Sequence, residues 1–213
     1  MTTELVFILD RSGSMAGMEA DTIGGFNGMI DKQKAIPGKT FVSTVLFDHE
    51  RQVLHDRLDL KKVPKMTEKD YYVRGCTALL DAVGHAIQHI GNIHKYARPE
   101  DVPGKTLFVI TTDGMENAST DYDYERVKAM IERQQDKYGW EFLFLGANID
   151  AAAEAKRFGI SADMAADYHC DEVGTALNYE VLGETVACLR ETGSIPCGWK
   201  DKVDRDFRNR KKR

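Results

Sequence analysis

The chain has 213 residues, 42% hydrophobic and 30% charged, with a formal net charge of −5; these are the proportions of a globular protein rather than a disordered one. That length supports one sizeable core and falls short of two. No apolar run approaches the ~20 residues that span a bilayer, and the N-terminal LVFIL lacks the length and basic flank of a secretion signal, so the expected location is the cytoplasm, with no membrane contact.

Residues 4–10 (ELVFILD) form a continuous apolar run bounded by turn residues, the pattern of a strand buried on both faces. A helix is expected over about 18–35, then strands at 40–48 and 51–57 joined by a tight turn, antiparallel, the second at an edge. After a polar stretch, Leu79, Val83, Ala86, Ile87, Ile90 and Ile93 fall at helical spacing, which predicts a helix starting beside Thr77. KTLFVITTD is a second buried strand ending in an acid, Asp113. A helix over about 122–138, a strand at 141–147, a short helix from Asp150, a weak strand near 164–169 and a long helix at about 171–191 follow.

Strands alternating with helices imply right-handed crossovers and an α/β, doubly wound fold, with a mostly parallel six-stranded sheet, one antiparallel edge strand and helices on both faces. The expected domain spans 1–199. Residues 200–213 carry eight Lys or Arg against three Asp, leaving 21 basic and 31 acidic residues in the body. This basic tail is read as disordered and solvated. The four cysteines, Cys76, Cys170, Cys188 and Cys197, show no Cys-x-x-Cys pairing and are read as reduced thiols.

In such sheets ligands bind at the carboxyl ends of strands, where strand order reverses. Asp10 and Asp113 both end buried strands, and Thr77 opens the helix between them in sequence. Asp10-x-Ser12-x-Ser14 alone is good turn and N-cap chemistry, because these side chains bond their own backbone. Combined with Thr77 and Asp113, the set offers two carboxylates and three hydroxyls, hard oxygen donors that suit Mg²⁺ or Mn²⁺ better than zinc.

Asp10-x-Ser12-x-Ser14, Thr77 within GCTALLDA and Asp113 within TTDGMEN resemble the metal-ion-dependent adhesion site (MIDAS) of von Willebrand factor type A domains, over residues 4 to about 190. DRSGSM, DGMENAS and FLGANIDA are similar to small stand-alone bacterial and phage members. The resemblance implies that Ser12, Ser14 and Thr77 offer hydroxyls to the metal, and that Asp10 and Asp113 act directly or through water. It further implies that a partner protein supplies an acidic side chain as final ligand, in some cases within an ATPase-containing complex, and that the chain itself is not an enzyme.

Competing readings are weaker. A metal-assisted hydrolase or phosphotransferase needs a positioned base, for which Glu116 beside Asp113 is the motif's one candidate. A nucleic-acid binder would use the basic tail, against the acidity of the body. His85 and His89 sit four apart on one helix without a third zinc ligand and are read as solvated. The glycines of IGGFNG lack dinucleotide-loop order and are read as close helix packing. Cys76 is read as a small turn residue, since nothing near it in sequence lowers a thiol pKa.

Overall fold

The computed structural model describes residues 1–211. Six strands form one sheet in the order β3-β2-β1-β4-β5-β6: β1 (Thr3–Asp10), β2 (Thr40–Phe47), β3 (Arg51–Asp59), β4 (Lys105–Thr112), β5 (Glu141–Ala147) and β6 (Ala165–Tyr168). All neighbours pair in parallel except β2 and β3, which are antiparallel and place β3 at an edge. The expected fold class, strand order in sequence and antiparallel edge are all present.

Period-two alternation sorts the side chains of the central strands between two cores. Leu5, Phe7 and Leu9 of β1 join Leu107 and Val109 of β4 and Leu143 and Leu145 of β5 on one face, while Val6, Ile8, Phe108, Ile110, Phe142 and Phe144 point to the other. Each such side chain contributes about 1.5–3 kcal/mol on burial, so continuous apolar runs are what hold strands covered on both faces. The first face is covered by α1 (Glu19–Lys34) and α5 (Glu172–Thr192), the second by α2 (Leu79–Tyr96), α3 (Tyr124–Tyr138) and α4 (Ala151–Arg157).

The helix ends follow from local chemistry. Asp123, Asp150 and Asp171 each accept a hydrogen bond from a backbone N–H of the first turn of α3, α4 and α5, satisfying donors that the helix cannot. Gly139 and Gly193 close α3 and α5 in the left-handed conformation. Of the IGGFNG glycines only Gly25 matches the packing expectation: a Cβ there would lie 2.2 Å from the Tyr179 ring of α5, whereas Gly24 and Gly28 have open space around that position.

The basic tail differs from expectation. Residues 201–211 form α6 (Asp201–Lys211), and residues 212 and 213 lie outside the described residues. Val203 and the preceding Trp199 are 2% and 8% exposed and join the core beneath β6 and α5. The Phe207 ring stacks on His169 at 4.6 Å, and Arg210 pairs with both Asp171 and Asp206. Apolar burial and the ion-paired Arg210 therefore order this segment, and the domain extends beyond residue 199.

Candidate metal centre

The sheet order reverses between β1 and β4, and the crevice at their carboxyl ends collects the residues singled out from sequence. Asp10 closes β1. Its Oδ1 accepts the Ser12 N–H at 2.7 Å, and its Oδ2 accepts the Thr112 hydroxyl at 2.6 Å and, more loosely, the Asp113 N–H at 3.4 Å. The loop after β1 brings Ser12 Oγ within 3.2 Å of Ser14 Oγ, and Ser14 donates to Asp113 Oδ1. A Cβ on Gly114 would sit 3.5 Å from Ser14 Oγ and 3.6 Å from Thr77 Oγ1, so the bare glycine keeps the space between those two hydroxyls open.

Three loops are tied together at this point. Gly13 N–H donates to the Gly75 carbonyl at 3.0 Å and Arg74 N–H to the Arg11 carbonyl at 3.0 Å, joining the loop after β1 to the loop before α2. Gly75 has φ +68°, and a Cβ there would collide with the His49 ring, so the approach to Thr77 requires glycine. Thr77 donates its N–H to the Asn117 side chain at 2.9 Å and accepts from the Asn117 N–H at 3.0 Å, which fastens it to the loop after β4.

Asp10 and Asp113 are both 2% exposed, and burial pushes both carboxyls above their ordinary range, against the hydrogen bonds that favour the ionised forms; the Asp10 charge raises Asp113 further. No Lys or Arg bonds to either carboxylate among the described residues. The adjacent Arg11 is turned away: it is 1% exposed and donates to Asp48 at 2.7 Å and to Gln52 at 2.6 Å. Two like charges buried together without a cation are costly, and the surrounding donors are hard oxygens. The five residues therefore fit a small divalent cation of the Mg²⁺ or Mn²⁺ type by chemistry and by placement.

Several neighbours carried no local signal. Thr112 orients Asp10, the Tyr71 hydroxyl donates to the Asp10 carbonyl, and the Cys170 thiol, from the loop after β6, lies 3.7 Å from Asp113 Oδ2. Burial and the Asp113 charge push the Cys170 thiol up to about 12.

Glu116 does not face this crevice as a free base. Its two oxygens accept the backbone N–H groups of Leu80, Ala118 and Ser119 and the Ser119 hydroxyl, capping the start of α2. His85 and His89 turn to different acids, Asp121 and Asp56, at 2.8 and 2.7 Å. Asp48, His49 and Glu50 also bring three metal-capable atoms together. Arg11 and Arg74 already neutralise Asp48, at 2.7 and 3.0 Å, and Arg74 reaches Glu50 at 2.6 Å, leaving no uncompensated charge for a cation.

A doubly wound sheet of this order, with its helices and crevice, is the fold of von Willebrand factor type A domains, and the solved structures that the chain resembles carry that fold. A von Willebrand factor type A protein from Catenulispora acidiphila superposes with a TM-score of 0.61 at 14% identity, covering 87% of this chain and 42% of that one. The von Willebrand factor domain of the type V pili tip protein Mfa5 from Porphyromonas gingivalis gives 0.60 at 12% identity, covering 91% and 98%. Proximal thread matrix protein 1 from the mussel byssus, with a zinc-occupied MIDAS motif, gives 0.58 at 14%, covering 87% and 46%. The chain thus spans less than half the length of two of these three. No protein-family model and no curated protein matches the sequence.

Proposed function

We propose that this chain is a metal-ion-dependent protein-interaction module. One divalent cation, Mg²⁺ or Mn²⁺, is held by the hydroxyls of Ser12, Ser14 and Thr77 and by the carboxylates of Asp10 and Asp113, directly or through water. The bound ion supplies a positive centre that accepts a carboxylate from a partner protein. The observation that carries this reading is the buried pair Asp10 and Asp113, joined through Ser14 and left without a basic partner among the described residues while Arg11 points elsewhere. The zinc-occupied MIDAS of the mussel protein supports a cation in this place.

Within the site Asp10 acts as the anchor, because Thr112 and the Ser12 N–H fix both its oxygens. Ser14 orients Asp113, and Gly114 keeps the approach clear. The saturated hydrogen bonding of Glu116 favours this reading over the hydrolase one, since a base already accepting from three amides and a hydroxyl is poorly placed to activate water. Four free cysteines, two of them exposed, support a reducing, cytoplasmic setting. A partner within an ATPase-containing complex remains the expectation from the family resemblance.

Thr77 separates holding the ion from using it. Its neutral oxygen is replaceable by water in a hydrated Mg²⁺ shell, so Thr77→Ala is expected to weaken retention of partner protein on the immobilised chain in saturating Mg²⁺ by about tenfold, with little change in thermal midpoint. Unchanged retention by the folded variant would reduce Thr77 to a loop anchor. Metal-dependent phosphoester or peptide hydrolysis lost in Glu116→Gln would instead favour the enzyme reading.

A further inference from the structure

A groove of about 710 Å³ lies between α2 and α3, lined from Tyr122 and Arg126 at the start of α3 to Val102, Pro103 and Trp140, which lead into β4 and β5. Its lining shares no residue with the five of the carboxyl-end crevice. Gly91 of α2 lines the groove without a side chain, and a Cβ there would stand at ordinary contact distance, 3.6 Å from Gln134 Nε2 and 3.9 Å from the Trp140 ring.

The lining is unlike the rest of the surface. Lys95, Arg126 and Arg133 face the groove, and no Asp or Glu does among the described residues, although the whole chain carries a net charge of −5. Arg126 lies over the Tyr122 ring at 4.3 Å and donates to the Asp121 carbonyl at 3.2 Å, so its guanidinium is held in place without a carboxylate partner. Arg133 makes no ion pair or hydrogen bond among the described residues, and Lys95 meets the face of Tyr96 at 5.1 Å. Trp140 also lines the groove, stacked on Phe108 at 5.3 Å and flanked by His94 at 5.3 Å. Two of the chain's exposed large apolar residues, Val102 at 36% and Tyr138 at 59%, belong to the same lining.

We propose that this groove binds a small organic anion with an aromatic body, its ring against the Val102, Tyr138 and Trp140 side and its carboxylate or phosphate at Arg126, Arg133 and Lys95. The volume is that of a ligand pocket, within the ~300–1,000 Å³ range. The held Arg126 guanidinium and that of Arg133, unpaired among the described residues, offer charge-assisted, bidentate recognition of either anion. A lining without acids imposes no repulsion on the ligand.

The test uses the two tryptophans as reporters, since Trp140 lies in the groove and Trp199 is buried beneath α6. The full ¹⁵N-labelled chain is titrated with adenosine monophosphate, 2-naphthoate and the neutral 2-naphthalenemethanol while the indole N–H signals are followed. Saturable movement of Trp140 with Trp199 unmoved is expected for at least one anion: the nucleotide alone assigns a phosphate ligand, the naphthoate alone a carboxylate. The neutral compound and the Lys95→Glu/Arg133→Glu variant are each expected to bind about tenfold more weakly. Gly91→Met, whose added atoms enter the groove, is expected to abolish the movement while leaving the Trp199 signal in place. Absence of a Trp140 shift at millimolar concentration of both anions, equal affinity for the neutral analogue, or undiminished anion affinity in the double variant would each overturn the proposal.

Discussion

Asp48→Ala is expected to destabilise the domain by about 3–5 kcal/mol, because it leaves the buried Arg11 guanidinium without its carboxylate, with the neutral oxygens of Gln52 and the Asp70 carbonyl as its remaining acceptors. The pair is 1% and 0% exposed at 2.7 Å, and the same carboxylate receives Arg74 at 3.0 Å and the Glu50 N–H at 2.8 Å. The Asp48 backbone carbonyl also accepts the Ala78 N–H at 2.8 Å. Asp48 therefore clamps the loop carrying Ser12 and Ser14 to the loop carrying Thr77, and its loss should loosen the site along with the fold. Urea denaturation measures the effect. Replacing both Arg11 and Asp48 by apolar residues should recover part of the loss, since a buried pair removed whole costs far less than one broken. A change below about 0.5 kcal/mol in Asp48→Ala, the size of an ordinary surface substitution, would show that the clamp is not what holds these loops.

The same group sets the sign of an acid dependence. Burial pushes the Asp48 carboxyl up, but the Glu50 N–H, Arg74 and Arg11 outweigh it and hold it below its ordinary 3.8. A carboxylate with a lowered folded-state pKa contributes stability above its unfolded value, and that contribution is lost as pH falls through the folded one. The stability advantage of the wild type over Asp48→Ala should accordingly shrink as pH drops below about 4, while the raised carboxyls of Asp10 and Asp113 act in the opposite sense in both proteins.

The second large effect concerns the cation. A ligand bound only by the native state adds RT ln(1 + [L]/Kd), about 2.7 kcal/mol at a hundredfold excess over Kd. Millimolar Mg²⁺ or Mn²⁺ is expected to raise the thermal midpoint of the wild type by several degrees, roughly 2–4 °C per kcal/mol for a domain of this size. Asp10→Ala should abolish the response, because it removes the carboxylate that Thr112 and the Ser12 N–H orient. Without metal the variant should lose little stability, since it also removes one of two crowded buried charges. A midpoint that rises equally in wild type and variant would assign the cation to another place.

Much of this was legible in the sequence because the signals were local. Continuous apolar runs ending in Asp10 and Asp113 placed both acids at the carboxyl ends of buried strands, and helical periodicity after Thr77 put its hydroxyl beside them. What escaped depends on contacts between distant segments. The Arg11–Asp48 bond spans 37 positions, and the Cys170–Asp113 contact 57. Helix α6 did carry a signal, Trp199, Val203 and Phe207 at successive intervals of four, but the surrounding charge masked it. In the structure that stripe packs inward, Val203 at 2% exposure.

Direct titration of the chain with Mn²⁺, following free Mn²⁺ by electron paramagnetic resonance, tests most directly whether Asp10, Ser12, Ser14, Thr77 and Asp113 hold a cation. The account predicts loss of the free signal with one site per chain, competed by Mg²⁺, and its persistence in Asp10→Asn and Asp113→Asn variants that remain folded. Uptake unchanged in both variants, or a free signal undiminished by the wild type at millimolar concentration, would contradict it.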